Sequence, residues 1–444
     1  MELNKIKYKR HIKPFDTSKK PIRSWKILSW VAMVVSKILT RGKIGKLEKI
    51  NMEGLKPPYI LLSNHQTFTD FEINAILTYP EKFHSIATFE GHYGFYGIRA
   101  YLMEKVGCIP KRKFTTDPHL VSSCNTVLNE YGDILSIYPE ARYTDIGTTS
   151  PISDSYAQLI KKFNKPVVAV VHRGNYLRAP FWNWQRERKV KTYTTMKKIL
   201  DPEDIERMSC EEIIAVVRRE LWHDEHQWQK DNNIIIDEPW RAEGLHKALY
   251  QCPHCLAEHR MLSKGNKLWC VSCGKEWEMT ELGELRATSG KTEFSHIPDW
   301  YNWEKENVRR EVEEGRYYFE DDVDVYALPN VKKFIKLGKG KLTHSLENGI
   351  TLEGHYNGED YKIVRPSRGL YSIHTEYNYC FLKHDPCIQI SIADNTFICN
   401  THKKDVVTKV YFAVVAIHEK LMRERAENKQ KKLDAEKQKD DKKE

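Results

Sequence analysis

No apolar run in these 444 residues reads as long enough to cross a bilayer. The one candidate, Ile27 to Leu39 (ILSWVAMVVSKIL), has 13 residues with Lys37 inside it, against the ~18–20 that a spanning helix needs. The first twenty residues, MELNKIKYKRHIKPFDTSKK, carry charges throughout and have no apolar core, unlike a secretory signal. Cysteine is sparse, ten in all, which argues against a disulfide framework in a chain of intracellular character. Six of the ten (Cys108, Cys124, Cys210, Cys380, Cys387 and Cys399) are scattered and read as small buried apolar residues. Strong charge is missing from most of the chain as well. Residues 1–50 hold 14 Lys/Arg against 3 Asp/Glu, a net of +11, while the whole chain is +10. A basic arm on a near-neutral body points to an anionic surface, membrane before nucleic acid; a merely solvated arm is the plain alternative.

What is present can build cores. Hydrophobic content is 40% and aromatic content 11%, and the length suggests two or three domains. On a helical wheel the Ile27–Leu39 stretch puts Lys26, Ser29, Ser36, Lys37 and Thr40 on one side, flanked by Trp25 and Trp30. That pattern suits a helix lying in a bilayer interface with its basic side towards the headgroups, or a helix packed on the neighbouring domain.

From about 55 to 235, short β-like runs alternate with helical stretches. YILLS (59–63), FHSIAT (83–88), DILSIYP (133–139), PVVAVV (166–171) and VKTYTT (190–195) read as strands. FEINAIL, HLVSSCNTVLNEYG, DSYAQLIKKFNK and one long segment from Asp201 to Glu225 read as helices, the last opened by Asp201, Pro202 and Asp204. This alternation predicts an α/β domain with a mostly parallel sheet and its site at strand C-terminal ends. From about 315 polar and apolar residues alternate between turns, with Asn348-Gly349 and Asn357-Gly358 as hairpin signals, predicting an antiparallel sheet or small barrel. A helix from about Asp405 closes it and runs into a charged tail. The expected organisation is a basic arm and interfacial helix (1–50), an α/β domain (51–235), a small cysteine unit (236–290) and a β-rich domain (291–444).

The pattern H-x4-D occurs four times, at His11/Asp16, His65/Asp70, His226/Asp231 and His355/Asp360. Spacing alone selects none of them, since five residues of helix would rotate the two side chains ~140° apart. Context selects His65. It follows a buried strand and precedes a helix, with Thr67 or Thr69 as candidate N-caps. From such a loop the imidazole can fold back to Asp70. The carboxylate then accepts from Nδ1–H and leaves Nε2 as a general base.

Four segments in order resemble the glycerolipid (1-acylglycerol-3-phosphate) acyltransferases. NHQTFTD (64–70) is similar to their N-H-x4-D block, VGCIPKRK (106–113) to the second, SIYPEARYT (136–144) to the third, and KPVVAVVHRG (165–174) to the fourth. The third block departs from Pro-Glu-Gly-Thr-Arg, with Ala141 at the glycine and Tyr143 where the arginine is expected; the fourth has Val170 in place of a second proline. The resemblance implies acyl transfer from acyl-CoA or an acyl carrier protein to a lysophospholipid. His65 would be the base and Asp70 its orienter, and Asn64 belongs to the same block. Lys111, Arg112 and Arg142 would hold the acceptor phosphate, and Glu140 would position the polyol. No catalytic cofactor is expected. A thioester or lipid hydrolase is the nearest alternative.

CPHC (252–255) and CVSC (270–273) place Cys252, Cys255, Cys270 and Cys273 as two C-x2-C pairs 14 residues apart. Four thiolates so spaced fit tetrahedral Zn²⁺, and a closed four-cysteine set is structural. A zinc ribbon raises nucleic acid as a rival partner, but lysines and glutamates are mixed here without a one-sided basic patch, so none is expected. APFWNWQRERKVK (179–191) suits either an interfacial anchor or core aromatics beside a basic strand edge. The composite expectation is a peripheral or monotopic enzyme on the cytoplasmic face of a membrane, bound to anionic lipid; the oligomeric state is left open.

Overall fold

A computed structural model of the chain describes residues 5–9, 11–13, 15–93, 97–115, 117–382 and 385–440; Met1 to Asn4, Arg10 and Pro14 of the basic arm lie outside them. Seven strands form the first sheet: β1 (Ile44–Ile50), β2 (Ile60–Ser63), β3 (Phe83–Thr88), β4 (Ile109–Lys111), β5 (Ile134–Ile137), β6 (Val167–Arg173) and β7 (Thr192–Leu200). Their order is β1-β7-β6-β2-β5-β3-β4, parallel throughout except for the β6/β7 pair. The central strand β2 is buried at all four positions, as its unbroken apolar run requires when helices cover both faces.

Two strands of this sheet, β1 and β4, are absent from the sequence reading. β1 reads Ile-Gly-Lys-Leu-Glu-Lys-Ile and lies half exposed at the sheet edge, so its charges hide its pairing with β7. The expected boundary at residue 50 therefore cuts through the sheet. The helices in this part are α1 (Lys26–Leu39), α2 (Thr69–Thr78), α3 (Ile98–Lys105), α4 (Pro118–Asn125), α5 (Ser155–Phe163), α6 (Asn175–Arg178), α7 (Pro202–Arg207), α8 (Cys210–Leu221) and α9 (Glu225–Asp231). The segment read as one helix from Asp201 to Glu225 holds two, α7 and α8, and ends where α9 begins. Met208 ends the first and Ser209 caps the second, with the Ser209 and Glu212 side chains each accepting from the other residue's backbone N–H.

Helix α1 packs on α2, and it does so through the small polar residues of its wheel rather than through its apolar face. Ser24, Ser36 and Thr40 are buried against the protein, and Thr40 Oγ1 donates to the Ser36 carbonyl at 2.8 Å. Trp25 (76% exposed), Ile27, Trp30, Val31, Val35, Ile38 and Leu39 face outwards. Small polar residues allow close helix–helix approach, so the apolar face is the one left over. No helix among the described residues is long and apolar enough to cross a membrane.

The four-cysteine unit is an antiparallel sheet of β8 (Met261–Lys264), β9 (Lys267–Cys270), β10 (Glu276–Met279) and β11 (Leu285–Ala287). Helix α10 (Ile297–Glu313), not anticipated from the sequence, follows it and packs on the final helix α11 (Val407–Asp440). The last sheet is antiparallel: β12 (Phe319–Ala327), β13 (Ile335–Ser345), β14 (Gly349–Tyr356), β15 (Glu359–Arg365), β16 (His374–Tyr379), β17 (Asp385–Ser391) and β18 (Thr396–Thr401), ordered β15-β14-β13-β12-β18-β17-β16. At the β14/β15 turn Asn357 and Gly358 both have positive φ, 55° and 80°, as a two-residue hairpin demands. One apolar core runs from Phe181 and Trp182 through Cys252, Trp277 and Trp300 to β12–β18 and α11. The cysteine unit thus shares one core with the C-terminal sheet and with Phe181 and Trp182 of the first domain. Phe181 and Trp182 belong to that core, so the aromatic run at 179–191 is mostly interior.

Candidate active site

Strand β2 ends at Ser63, and the loop Asn64–Phe68 leads into α2. The Asn64 side chain donates to the His172 carbonyl (3.0 Å) and accepts its N–H (2.8 Å). This amide fastens the end of β2 to β6, and it is spent on backbone rather than aimed at a substrate. Asp70, fully buried in the first turn of α2, organises the loop. Its Oδ2 accepts from the backbone N–H of Gln66 (2.6 Å) and Thr67 (2.9 Å) and lies 3.1 Å from His65 Nδ1; its Oδ1 accepts from Asn175 Nδ2 (2.7 Å). With the carboxylate ionised, Nδ1 carries the proton. Nε2 then presents its lone pair and has no hydrogen-bond partner among the described residues.

The imidazole is clamped on both faces. Tyr138 stacks on it at 4.1 Å between centroids and Tyr143 lies 4.2 Å from it, backed by Phe68 and Phe181. Burial holds the His65 pKa below its ordinary 6.5, because it disfavours the imidazolium more than the Asp70 carboxylate favours it; the Lys113 charge acts in the same direction as burial. Burial also opposes the Asp70 charge, but His172, His65 and the Thr67 N–H outweigh it and keep the carboxyl low. The result is a neutral imidazole with one nitrogen oriented, the state a general base needs.

Glu140 reaches the same loop. Its Oε1 accepts from the His65 N–H (3.0 Å) and its Oε2 from the Ser150 N–H (2.6 Å), and burial raises its pKa to about 7. It positions His65 through the backbone. Ala141, next to it, has φ +55°, a left-handed conformation that costs a residue with a Cβ.

The cations expected to hold a phosphate are placed elsewhere. Lys111 Nζ donates to the Thr115 carbonyl at 3.1 Å. Arg112 is buried against the C-terminal sheet. It donates to the carbonyls of Leu328, Pro329 and Asp394 and to Thr396 Oγ1, with its guanidinium 3.7 Å over the Phe89 ring. Arg142 forms a buried pair with Asp145 (2.6 Å) and lies 3.6 Å over the Tyr411 ring of α11, leaving Nε and Nη1 without partners. Each buried guanidinium needs such partners to offset its lost hydration, and here the C-terminal elements supply them. The sequence shows no trace of the partners in the C-terminal elements, which lie 200 or more residues away, although Asp145 is only three residues from Arg142. The same sheet brings His374 beside Lys113 (Nδ1 to Nζ, 2.9 Å), with Glu376 on the other ring nitrogen (2.8 Å). These three buried groups were not anticipated.

Residues 43–173 match the family model described as acyltransferase. The chain carries an acyltransferase domain. The matched span holds β1 to β6, His65, Asp70, Glu140 and Arg142. No curated protein matches the chain. Among solved structures the chain is similar to the 1-acyl-sn-glycerophosphate (LPA) acyltransferase PlsC from Thermotoga maritima, at 15% identity over 43% of this chain and 79% of that one. Its TM-score of 0.31 is too low to carry an argument, and the assignment rests on the family match.

Outside the acyltransferase domain, the sulfurs of Cys252, Cys255, Cys270 and Cys273 all lie within 4.8 Å of one another, with Cys252–Cys273 at 3.8 Å and Cys255–Cys270 at 3.7 Å. A tetrahedron of thiolates at ~2.3 Å from a zinc ion has edges of about 3.8 Å. The donor set and its spacing fit that ion.

Proposed function

We propose that the acyltransferase domain moves a fatty acyl group from a thioester, acyl-CoA or acyl carrier protein, to a hydroxyl of a lysophospholipid-like acceptor. The observation that carries this is His65, whose Nδ1 is committed to Asp70 while Nε2 is free at the C-terminal end of β2. Nε2 takes the acceptor's hydroxyl proton as its oxygen attacks the thioester carbonyl. Asp70 stabilises the imidazolium that forms. Collapse of the tetrahedral intermediate breaks the C–S bond, and the imidazolium returns the proton to the leaving thiolate.

The exposed apolar face of α1 supports a membrane as the place where this happens, because α1 packs on the helix that carries Asp70. Seven outward apolar residues, two of them Trp, with Lys26 and Lys37 also exposed, suit an interfacial helix beside anionic headgroups. The four thiolates are assigned a structural zinc ion, which would hold the turns of the β8–β11 unit together.

The test is acyl transfer to a panel of lyso-lipids from both donor types, with wild type and His65→Ala. Transfer by wild type, and its loss in a variant of unchanged fold and metal content, is the expected result. Equal turnover by His65→Ala refutes the mechanism, and release of free fatty acid without transfer replaces it with hydrolysis. Sedimentation with anionic vesicles, weakened by Trp25→Ser with Ile38→Ser, checks the membrane. Elemental analysis should give one zinc per chain, and a chelator should lower the melting temperature.

A further inference from the structure

The His65 loop is also held by a carboxylate that the mechanism above does not use. Glu225 opens α9 and is fully buried. Its Oε1 accepts from Gln66 Nε2 (2.6 Å) and from the Gly174 N–H just after β6 (2.9 Å), with His223 Nε2 2.8 Å away. Its Oε2 lies 2.8 Å from the same Gly174 nitrogen. Gln66 follows His65 directly in the chain and is buried. Its backbone N–H goes to Asp70, and its side-chain Oε1 accepts from the Tyr176 N–H (3.2 Å). The Gln66 amide is therefore fixed at both ends, nitrogen to Glu225 and oxygen to Tyr176. The Glu225 N–H donates to the Gly147 carbonyl (2.9 Å), in the loop whose Thr144 N–H donates to the His65 carbonyl (2.9 Å). Gly147 has φ +84°, and a Cβ there would come within 2.8 Å of Tyr176 and 3.0 Å of Glu225, so glycine is what admits this close approach.

A buried carboxylate loses its hydration and needs donors to replace it, and here three nitrogens converge on one. An amide in its place would set N–H against N–H at Gln66, at Gly174 or, after a flip of Gln66, at Tyr176. We propose that Glu225 is a positioning residue of the acyl-transfer site: through Gln66 it fixes the loop that aims His65 Nε2, while Asp70 fixes the same loop through its backbone. The proposal rests on the reading of His65 as the base. Glu225 lies beyond residues 43–173, the span that matches the acyltransferase family model, so α9 belongs to the working site and is more than a connection to the cysteine unit.

The test compares wild type, Glu225→Gln and the double variant Gln66→Glu with Glu225→Gln, which keeps the charge and returns an N–H to oxygen contact to every partner. In the acyl-transfer assay Glu225→Gln should lose roughly 10- to 100-fold in kcat, the effect of a reacting group misplaced by about 1 Å, with KM nearly unchanged. The double variant should recover most of that loss. Hydrogen exchange of the amides at 64–70, read by mass spectrometry, should quicken several-fold in Glu225→Gln and slow again in the double variant, while β14 keeps its rate. Wild-type kcat in Glu225→Gln, or an equal loss in the double variant, overturns the role. So does a lower melting temperature with kcat per folded molecule unchanged, which would make Glu225 a support for stability alone. Should Glu225→Gln not fold, Gln66→Met removes both side-chain bonds and leaves Glu225 with Gly174 and His223; the same loss of kcat is expected, and no loss overturns the proposal. The exchange rates are read without turnover. If His65→Ala transfers as well as wild type, the base is refuted, while the rates at 64–70 still decide whether Glu225 holds the loop.

Discussion

Two histidine–aspartate pairs in this chain have the same spacing and the same bond, and they are not equivalent. His65 Nδ1 lies 3.1 Å from Asp70, and their side chains are 16% and 0% exposed. His355 Nδ1 lies 2.8 Å from Asp360, at 63% and 71%. The second pair meets because His355 and Asp360 are direct cross-strand partners either side of the Asn357-Gly358 turn. The first meets because a loop between strand and helix folds back on its own helix terminus. In the hairpin water competes for every donor and acceptor, and such an exposed pair contributes little. In the loop the carboxylate is fully buried and accepts from four N–H donors, so it determines the backbone path, the tautomer and the ring orientation together. The bond alone does not fix a dry, oriented imidazole; burial and the fixed surroundings do.

Breaking each pair should separate them most. His65→Ala is expected to reduce acyl transfer by about 10²–10⁴-fold, measured as initial rate, whereas His355→Ala should leave it within twofold. Asp70→Asn removes an acceptor shared by two backbone N–H groups and His65 and sets an amide against one of them. A stability loss of about 3 kcal/mol in urea unfolding is expected, while Asp360→Asn should stay within roughly 0.5 kcal/mol.

The pH profile sharpens the same contrast. Burial places the His65 pKa below 6.5, so its base form dominates from there upwards. kcat/KM should fall on acidification with an apparent pKa under 6.5. Because Asp70 is what favours the imidazolium, Asp70→Asn should move that limb to still lower pH in whatever activity remains. A limb above 6.5 would contradict the buried setting.

The smallest effect compares backbone rather than side chains. Ala141 beside the site and Asn357 in the hairpin share φ +55°, but asparagine tolerates the left-handed region and alanine does not. Ala141→Gly should stabilise the protein by about 1 kcal/mol in thermal unfolding. Asn357→Gly should do less, and a reversal of that order would show that Ala141 is not strained.

Much of the site was legible because it is local. Strand β2, the following loop and α2 are contiguous, and the bond from Asp70 to His65 spans five residues. The cysteine pairs are legible for the same reason, since a metal site needs only two short turns brought together. Arg112, Arg142 and Arg178 were not legible. A guanidinium reaches far, and beside local partners such as Asp145 and Asn175 theirs include carbonyls, hydroxyls and rings contributed by remote segments. Strand β1 was missed because edge strands keep their charges, and α10 because its apolar positions face a core assembled from other domains.

Sequence by itself determined the α/β alternation, the choice of His65 over three competing copies, and the four-thiol cluster. These depend on hydrophobic periodicity and short-range geometry, which the chain carries in its order of residues. The tertiary structure alone decided which cations are free, which face of α1 is left outside, and how dry the His65 pair is. Those depend on what is excluded from water, and exclusion is a property of the assembled core rather than of any segment within it.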